Sequence, residues 1–352
     1  MLKRAVVPCA VLLSVLAACS GGSDDSAGRV QKVSQTKKLA SIHTLNVSPD
    51  GKWLVSVNDG DHDLCITAVA GGEKHCEDTV RADENSLTWA PDSSKIAFTE
   101  PFFREFREPD IWTMDTSGKT RDLTDDQVTK ISFGKIPSGT DVDVFPSWND
   151  DSSKVTFLRL RQIGEGTDEV RTVPADGGDS EQVGTIKLGS ALNAFTASPD
   201  GKKVAWSESP DLPAKVYVAD TSGSDKHRIS DSGKLDSGLL RFSADSDYLV
   251  LNNLAAADFS RAKKAAVHVV KVDDGSSTSL GDGSLGAGWS ASGHSLVFIQ
   301  NSQLKVLPAP DEKARTLSGG KDLLAGYGNP VWSKENSVVY FQHGAAMLLT
   351  LA

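Results

Sequence analysis

The chain has 352 residues, a hydrophobic fraction of 39% and a formal net charge of −10. An acidic protein without a basic run does not bind nucleic acid through bulk electrostatics, so no nucleic-acid partner is expected. The length would be large for an ordinary single core, whereas a repetitive architecture accommodates it as one domain.

Residues 1–18 are predicted to be a signal peptide outside the fold. Lys3 and Arg4 make a positive start, and Ala5–Leu16 is an apolar run too short to span a membrane. Leu16–Cys19 resembles the lipobox of bacterial lipoproteins, in which cleavage precedes a cysteine that receives a diacylglyceryl group. The resemblance implies a lipid on Cys19 and a flexible tether over residues 19–29. Losing the charges of Lys3 and Arg4 takes the formal charge from −10 to −12. The alternative is an ordinary secretory signal with an incidental cysteine.

One sequence unit occurs seven times after the tether. It consists of an apolar strand, a tight turn of the Pro-Asp-Gly kind and a second apolar strand. Proline presets φ and glycine or asparagine permits positive φ, which suits such a turn. With the turn residue as the anchor, the anchors are 42, 59, 49, 45, 47 and 43 residues apart, a period typical of a propeller. The anchors are Asp50, Asp92, Asp151, Asp200, Asp245, Ser292 and Glu335.

The apolar positions of the unit predict the core. Apolar residues recur three residues before the anchor and four and six residues after it. Side chains that alternate across a hairpin in this way would pack one sheet against the next. Most of the tryptophans are therefore expected in the core rather than at a ligand. The residues six after the anchor are Phe98, Phe157, Trp206, Leu251, Phe298 and Phe341, and the first repeat has Ser56 there.

A third strand, a glycine-containing turn and a fourth strand follow each hairpin. Through Trp89–Asp92, Asp110–Asp115 and Arg121–Thr124, the chain resembles the TolB-type β-propeller family, whose repeats have these motifs. The resemblance covers nearly the whole chain after the signal and implies an all-β propeller over residues 30–352. The seven repeats predict seven blades, although members of the family with six blades are common. The third strand of the last blade, Met347–Leu351, runs into the C-terminus. We therefore predict that Gln31–Leu39 supplies the fourth strand and closes the ring.

Two cysteines remain in the predicted propeller, because Cys9 is removed with the signal and Cys19 carries the lipid. Cys65 and Cys76 flank a predicted hairpin and could face each other across two strands. An exported protein meets an oxidising compartment, so a disulfide is expected. Two buried thiols are the alternative. A metal site with His75 is less favoured, because no fourth ligand is evident.

The long connections are predicted to lie together on one face, heaviest at the second and third repeats. Long loops on a rigid scaffold are where binding usually resides. The candidate partner-binding residues are Phe102, Phe103, Arg104, Phe106, Arg107, Arg159 and Arg161, because aromatic and arginine side chains anchor interfaces and arginine recognises carboxylate or phosphate. The alternatives are that the phenylalanines plug the channel mouth and that the arginines pair with Glu105, Glu108 or Glu165.

Signals for chemistry are weak, and no cofactor is expected. Neither G-x-S-x-G nor H-E-x-x-H occurs. Gly281–Gly286 matches G-x-G-x-x-G, but no helix follows it, so a dinucleotide site is not expected. Asp59, Asp61 and Asp63 make a D-x-D-x-D run that suits Ca²⁺. The glycine and glutamate of an EF-hand are missing, so a solvated turn is favoured and no metal site is predicted.

These features predict a monomeric, non-enzymatic propeller, lipid-anchored on the extracytoplasmic face of the cell membrane, that binds another envelope protein. The blades would hold the loops rigid, so little ordering entropy is lost on binding. The TolB resemblance implies the envelope-associated interaction role. The alternatives are a ligand sensor acting with a membrane partner and a propeller enzyme of the lactonase or lyase kind. The enzyme would need residues such as Asp61, Arg104 and Arg159 to converge at the channel mouth.

Overall fold

The structure, a computed structural model, describes residues 42–58, 63–101, 109–125, 141–161, 167–188, 192–208, 215–229, 240–251, 266–318, 329–333, 337–342 and 345–350. All regular structure in these residues is β. No helix that could cross a membrane is found among them. The predicted signal peptide, Cys19, the tether and the closing strand Gln31–Leu39 lie outside these residues.

The described strands form seven sheets. Sheet 1 contains β1 (Ile42–Val47), β2 (Trp53–Asn58), β3 (Asp63–Ala68) and β4 (Lys74–Arg81). Sheet 2 contains β5 (Thr88–Trp89), β6 (Lys95–Thr99), β7 (Ile111–Asp115) and β8 (Thr120–Asp122). Sheet 3 contains β9 (Val142–Trp148), β10 (Lys154–Leu160), β11 (Asp168–Pro174) and β12 (Glu181–Ile186). Sheet 4 contains β13 (Leu192–Ala197), β14 (Lys203–Glu208), β15 (Lys215–Asp220) and β16 (His227–Arg228).

The remaining sheets follow the same plan. Sheet 5 contains β17 (Leu240–Phe242), β18 (Tyr248–Leu251), β19 (His268–Lys271) and β20 (Ser277–Ser279). Sheet 6 contains β21 (Ser284–Trp289), β22 (Leu296–Gln300), β23 (Gln303–Leu307) and β24 (Arg315–Ser318). Sheet 7 contains β25 (Val331–Trp332), β26 (Ser337–Gln342) and β27 (Ala345–Thr350).

Each sheet is an antiparallel meander in which every strand pairs with its neighbours along the chain. One repeat of the sequence forms the first hairpin of each sheet, so the sheets and the repeats correspond one to one. The prediction of an all-β fold built of four-stranded blades is confirmed for sheets 1 to 6. Sheet 7 has three strands within the described residues, and the fourth strand predicted for it, Gln31–Leu39, stays a prediction.

In the six repeats whose tight turns the structure describes, the residue after the anchor has a left-handed backbone. Glycine occupies this position in some repeats, as at Gly51, where φ is 73°. Ser93 and Ser152 occupy it in others, with φ of 67° and 62°. Each of these serines uses its Oγ to accept a hydrogen bond from the anchor N–H of the preceding sheet, at 3.0 Å from both Asp50 and Asp92. The bond to the next sheet offsets the cost of a non-glycine residue at positive φ.

The first strands of the sheets lie innermost, because they contact one another from sheet to sheet. Trp148 in β9 donates from Nε1 to the carbonyl of Thr88 in β5 at 2.9 Å. Where β21 meets the start of β25, a Cβ on Gly288 would come within 2.0 Å of the Pro330 carbonyl oxygen, so only glycine fits there. A Cβ on Gly51 in sheet 1 would lie 3.3 Å from Cβ of Ser333 in sheet 7, which makes the first and last sheets neighbours.

The core consists of apolar clusters between successive sheets. Phe98, Phe157 and Phe298, six residues after their anchors, have no exposed surface, and Trp206 is 1% exposed. Full burial of a side chain of this kind stabilises the fold by about 1.5–3 kcal/mol. Every tryptophan is buried or packs against one of these clusters. The core predicted from the repeats is confirmed for the residues whose side chains the structure describes, and the side chain of Phe341 lies outside them.

Candidate functional site

The predicted partner-binding residues fall into two groups. Phe102, Phe103, Arg104, Phe106 and Arg107 lie outside the described residues, and their role stays a prediction. Arg159 and Arg161 are described. They lie at the end of β10 from which residues 162–166 connect to β11. We call this end of the sheets, opposite the tight turns of the repeats, the loop face.

Charged side chains alternate along three adjacent strands of sheet 3. The two-residue spacing of Asp141 and Asp143, of Arg159 and Arg161, and of Glu169 and Arg171 places each pair on one face of its strand. The pairing register sets Arg159 directly opposite Asp143 on β9 and Glu169 on β11. Opposite charges therefore face each other across the sheet. We call these six residues the charge ladder.

Arg159 is the centre of the charge ladder. Its Nε and Nη2 donate to the two carboxylate oxygens of Asp143, both at 2.7 Å. Its Nη1 lies 2.6 Å from Oδ2 of Asp141. Asp143 has no exposed surface and Arg159 is 8% exposed. A bidentate pair of this kind is the strongest geometry for an arginine and a carboxylate, and burial protects it from salt screening.

The outer part of the charge ladder continues toward solvent. Arg161 pairs through Nη1 with Asp141 and donates from Nε to Oε1 of Glu169 at 2.8 Å. Arg171 donates from Nη1 to the other oxygen of Glu169 at 2.7 Å and from Nη2 to the Ser180 carbonyl at 2.7 Å. Each of the three guanidinium groups is therefore paired with carboxylates of the same sheet.

The strand that carries Asp143 is locally irregular. The pairing of β9 with β10 shifts register between Thr156 and Leu158. Opposite this shift, Phe145 has φ of 59°, a conformation that is unfavourable for a bulky side chain. The equivalent bulge in β21 uses Gly286, with φ of 51°. Backbone strain of this kind persists only where the surrounding structure holds the residue in place. Phe145 lies two residues from Asp143, which belongs to the buried ion pair.

Sheet 2 is bonded to the charge ladder at the base of residues 102–108. The N–H of Asp143 donates to the carbonyl of Pro109 at 2.9 Å. Thr124 Oγ1 donates to Asp110 Oδ1 at 3.1 Å and accepts from the N–H of Ile111 at 2.9 Å. Asp110 and Thr124 are both 8% exposed. The residues that begin and end the connections on this part of the loop face are thus held in one hydrogen-bonded unit.

Burial sets the protonation behaviour of the acids here. It raises the pKa of Asp122 to about 6, helped by the nearby carboxylates of Asp125 and Asp143 and opposed by the N–H of Thr124. Burial also raises the pKa of Asp168. For Asp143 burial raises the pKa and the two bonds from Arg159 oppose the rise. The pKa of Glu169 is lowered despite partial burial, because Arg161 and Arg171 both donate to it.

The arrangement changes the interpretation of Arg159 and Arg161. The sequence left open a cationic patch or ion pairs with Glu105, Glu108 or Glu165, and those three glutamates lie outside the described residues. The described partners are Asp141, Asp143 and Glu169. This network was not predicted from the sequence, although the two-residue spacing of charges in three successive predicted strands was a signal for it.

The remaining candidate site residues either have a structural role or give weaker evidence for a binding site than the charge ladder does. Cys65 and Cys76 form the expected disulfide, directly paired across β3 and β4. Of the D-x-D-x-D run, Asp63 begins β3, and Asp59 and Asp61 lie outside the described residues. Gly281–Gly286 joins β20 to β21 without a helix, as expected. Asp245, Asp247 and His294 bring their ligand atoms within 4.8 Å of one another, but they are largely exposed, and His294 Nδ1 already pairs with Asp245 at 2.6 Å.

Comparison with family models and with curated proteins gives one partial match. No protein-family model matches the chain. Tricorn protease homolog 1 of Streptomyces coelicolor is 30% identical over 119 residues, which are 34% of this chain and 11% of that protein. The chain thus spans only a small part of this curated relative.

Solved structures match over more of the chain. A TolB protein from Agrobacterium tumefaciens matches 69% of this chain and 81% of its own, with 22% identity and a TM-score of 0.48. Virginiamycin B lyase from Staphylococcus aureus matches 91% and 99%, with 12% identity and a TM-score of 0.56. A fold found in a lyase does not by itself assign an activity to this chain. The chain has the β-propeller fold.

Proposed function

We propose that this protein is a lipid-anchored propeller on the extracytoplasmic face of the cell membrane, and that it binds another envelope protein through the loop face of sheets 2 and 3. Residues 102–107 supply the contacts, with three phenylalanines for apolar pockets and two arginines for charged groups. The lipid on Cys19 and the tether over residues 19–29 keep the propeller close to the membrane.

The observation that carries this proposal is the charge ladder with its bonds to sheet 2. Residues 102–108, 126–140 and 162–166 all begin or end within two residues of its members or of Asp110 and Thr124. A base of buried, paired charges fixes the ends of all three connections. Binding through connections with fixed ends loses less conformational entropy than binding through a free segment.

The charge ladder itself supports a binding role rather than a catalytic one. Its three arginines are paired with Asp141, Asp143 and Glu169, which favours a structural role for them over contact with a substrate. Arg159, the described member of the set that a lyase-like site would need, is held by Asp143 at 8% exposure. Its role is to position the loops.

The test is a crosslinking pull-down from intact membranes. Wild type is compared with a variant in which Phe102, Phe103, Arg104, Phe106 and Arg107 are all alanine. The matched control replaces Lys52 and Lys202, exposed at the tight turns on the opposite face, with alanine. We expect a protein that wild type and the control recover and that the loop variant does not. Equal recovery with all three would contradict the proposed site. Circular dichroism of each variant checks that it is folded.

The anchor is tested separately. Replacing Cys19 with serine is expected to move the protein from the membrane fraction to the soluble fraction, because the acyl chains would be absent. A Cys19→Ser variant that stays in the membrane fraction with unchanged mass would contradict lipidation.

A further inference from the structure

The ammonium group of Lys226 lies against two aromatic rings at the junction of sheets 3 and 4. Its Nζ is 4.8 Å from the ring centroid of Trp206 and 4.2 Å from that of Tyr217. The two rings are stacked, with their centroids 5.5 Å apart. Both Nζ distances are within the roughly 6 Å over which the face of an aromatic ring attracts an ammonium group, and tryptophan gives the strongest attraction.

Two oxygen atoms complete the surroundings of this ammonium group. Nζ of Lys226 donates to the carbonyl of Lys187 at 3.3 Å and lies 3.9 Å from Oε1 of Glu208. The same Oε1 accepts the indole N–H of Trp206 at 2.8 Å, which fixes the carboxylate beside the ring. We call Trp206, Tyr217, Glu208 and the Lys187 carbonyl the ammonium cage. Aromatic faces, a carboxylate and a carbonyl together suit a cation that carries N–H donors.

The ammonium cage is largely buried, whereas the lysine that fills it reaches solvent. Trp206 is 1% exposed and the Glu208 side chain 3% exposed, but 37% of the Lys226 side chain is exposed. Lys226 directly precedes β16, the two-residue edge strand of sheet 4. The lysine therefore covers a preformed cage from the solvent side, and the strand that follows it is one of the shortest that the structure describes.

The contact of Lys226 with the carboxylate of the cage is incomplete. Its Nζ stays 3.9 Å from Glu208, beyond the roughly 2.7–3.2 Å of a hydrogen bond. By contrast, Nζ of Lys203 in the same sheet approaches Asp220 to 2.8 Å. A lysine side chain held in one position also loses rotamer freedom, so the release of Lys226 to solvent is favoured by entropy. An ammonium group that is free to approach the carboxylate more closely can therefore compete with it.

We propose that the ammonium cage is a binding site for an alkylammonium group, and that Lys226 occupies it as an internal competitor which such a group displaces. The ligand is a primary amine in its charged form, either a small free amine or the end of a lysine side chain of another protein. Attraction to the two rings and acceptance of the N–H donors recognise the cation. The site is separate from the charge ladder and does not depend on the function proposed above.

The test uses the purified full-length chain in phosphate buffer, because an amine buffer would compete. n-Butylammonium, which reproduces the end of a lysine side chain, and its neutral counterpart n-butanol are titrated separately into wild type and Lys226→Ala. The NMR resonances of the tryptophan indole N–H groups report binding. In Lys226→Ala, butylammonium should shift, with saturation, the resonance that the substitution itself shifts, and n-butanol should not. Wild type should need about a tenfold or higher concentration, because the tethered ammonium competes at an effective concentration of about millimolar.

Two further variants and one further ligand complete the experiment. Adding Glu208→Gln to Lys226→Ala keeps the shape of the cage and removes its charge, so butylammonium should bind about tenfold more weakly. Lys202→Ala, which removes a lysine whose side chain is 78% exposed at a tight turn, should bind like wild type. Nα-acetyl-lysine amide distinguishes the two sources of the ligand. Tighter binding than that of butylammonium indicates a lysine of another protein, and weaker binding indicates a small amine.

Three results would overturn the proposal. The first is no saturable binding of butylammonium to Lys226→Ala, and the second is an equal shift by n-butanol, since either would mean that the cage does not recognise an ammonium group. The third is no binding to wild type at about a hundredfold the concentration that saturates Lys226→Ala, because the tethered lysine would then never be displaced. Circular dichroism of each variant checks that it is folded.

Discussion

Replacing Arg159 with methionine is expected to destabilise the propeller strongly. The change leaves Asp143, which has no exposed surface, without the two guanidinium bonds that it accepts at 2.7 Å. Removing one member of a buried pair typically costs about 3–5 kcal/mol, because the other charge stays buried and unmatched. For a propeller of this size that loss corresponds to about 5–8 °C in melting temperature.

A double-mutant cycle distinguishes the contribution of the Arg159–Asp143 ion pair to stability from that of side-chain packing. Arg159→Met combined with Asp143→Leu removes both charges and should recover most of the lost stability, because an apolar pair of similar size needs no desolvation. The single variant should also regain stability as the pH falls. Without Arg159 only the hydrogen bond from Thr124 opposes the rise that burial gives to the pKa of Asp143, so its neutral form favours the folded state. Thermal unfolding at several pH values measures both effects.

An Arg159→Met variant whose free energy of unfolding lies within about 1 kcal/mol of that of wild type, the range of an exposed ion pair, would contradict this prediction. A double variant less stable than the single one would contradict it as well. Either result would mean that Asp143 finds another partner and that the charge ladder does not fix the loop face.

Three further predictions concern the disulfide, an acid and a turn. Breaking the Cys65–Cys76 bond, which closes a loop with a sequence separation of 11, should cost about 2–3 kcal/mol, measured by thermal unfolding with and without reductant. The pKa of Asp122, raised to about 6 by burial, means that its contribution to stability is lost as the pH rises from about 4 to about 6. Asp122→Asn should remove this pH dependence of the free energy of unfolding, measured by urea unfolding between about pH 4 and about pH 6. An unchanged pH dependence would mean that another group causes it. Ser93→Ala should cost about 1 kcal/mol more than Ser93→Gly, because both lose the bond to Asp50 and only alanine keeps a Cβ at φ of 67°. Equal melting temperatures of the two would contradict this.

Much of the fold could be predicted because one local pattern is repeated. The turn at each anchor and the apolar residues around it determine the hairpin, and Phe98, Phe157 and Phe298 are fully buried as the alternation requires. The disulfide followed from two cysteines at the ends of a short hairpin. These features depend on residues close together in the chain, where spacing and turn chemistry are sufficient.

The candidate site was harder to predict because it depends on register and on contacts between sheets. The spacing of Arg159 and Arg161 identifies one face of a strand, but their partners depend on how β9 and β11 align with β10. The positive φ of Phe145 has no local sequence signal, because phenylalanine rarely adopts positive φ. At the equivalent bulge the residue is Gly286, which adopts it readily.

The measurement that tests the account most directly is site-specific photocrosslinking in intact cells. A photoreactive amino acid is placed at position 104, within the segment proposed to bind the partner, and, in a second strain, at position 202, at a tight turn opposite the loop face, where the natural Lys202 is exposed. The account predicts a crosslinked membrane-fraction protein from position 104 and none from position 202. A product from position 202 alone, equal products from both positions, or no product at position 104 would contradict binding through the loop face.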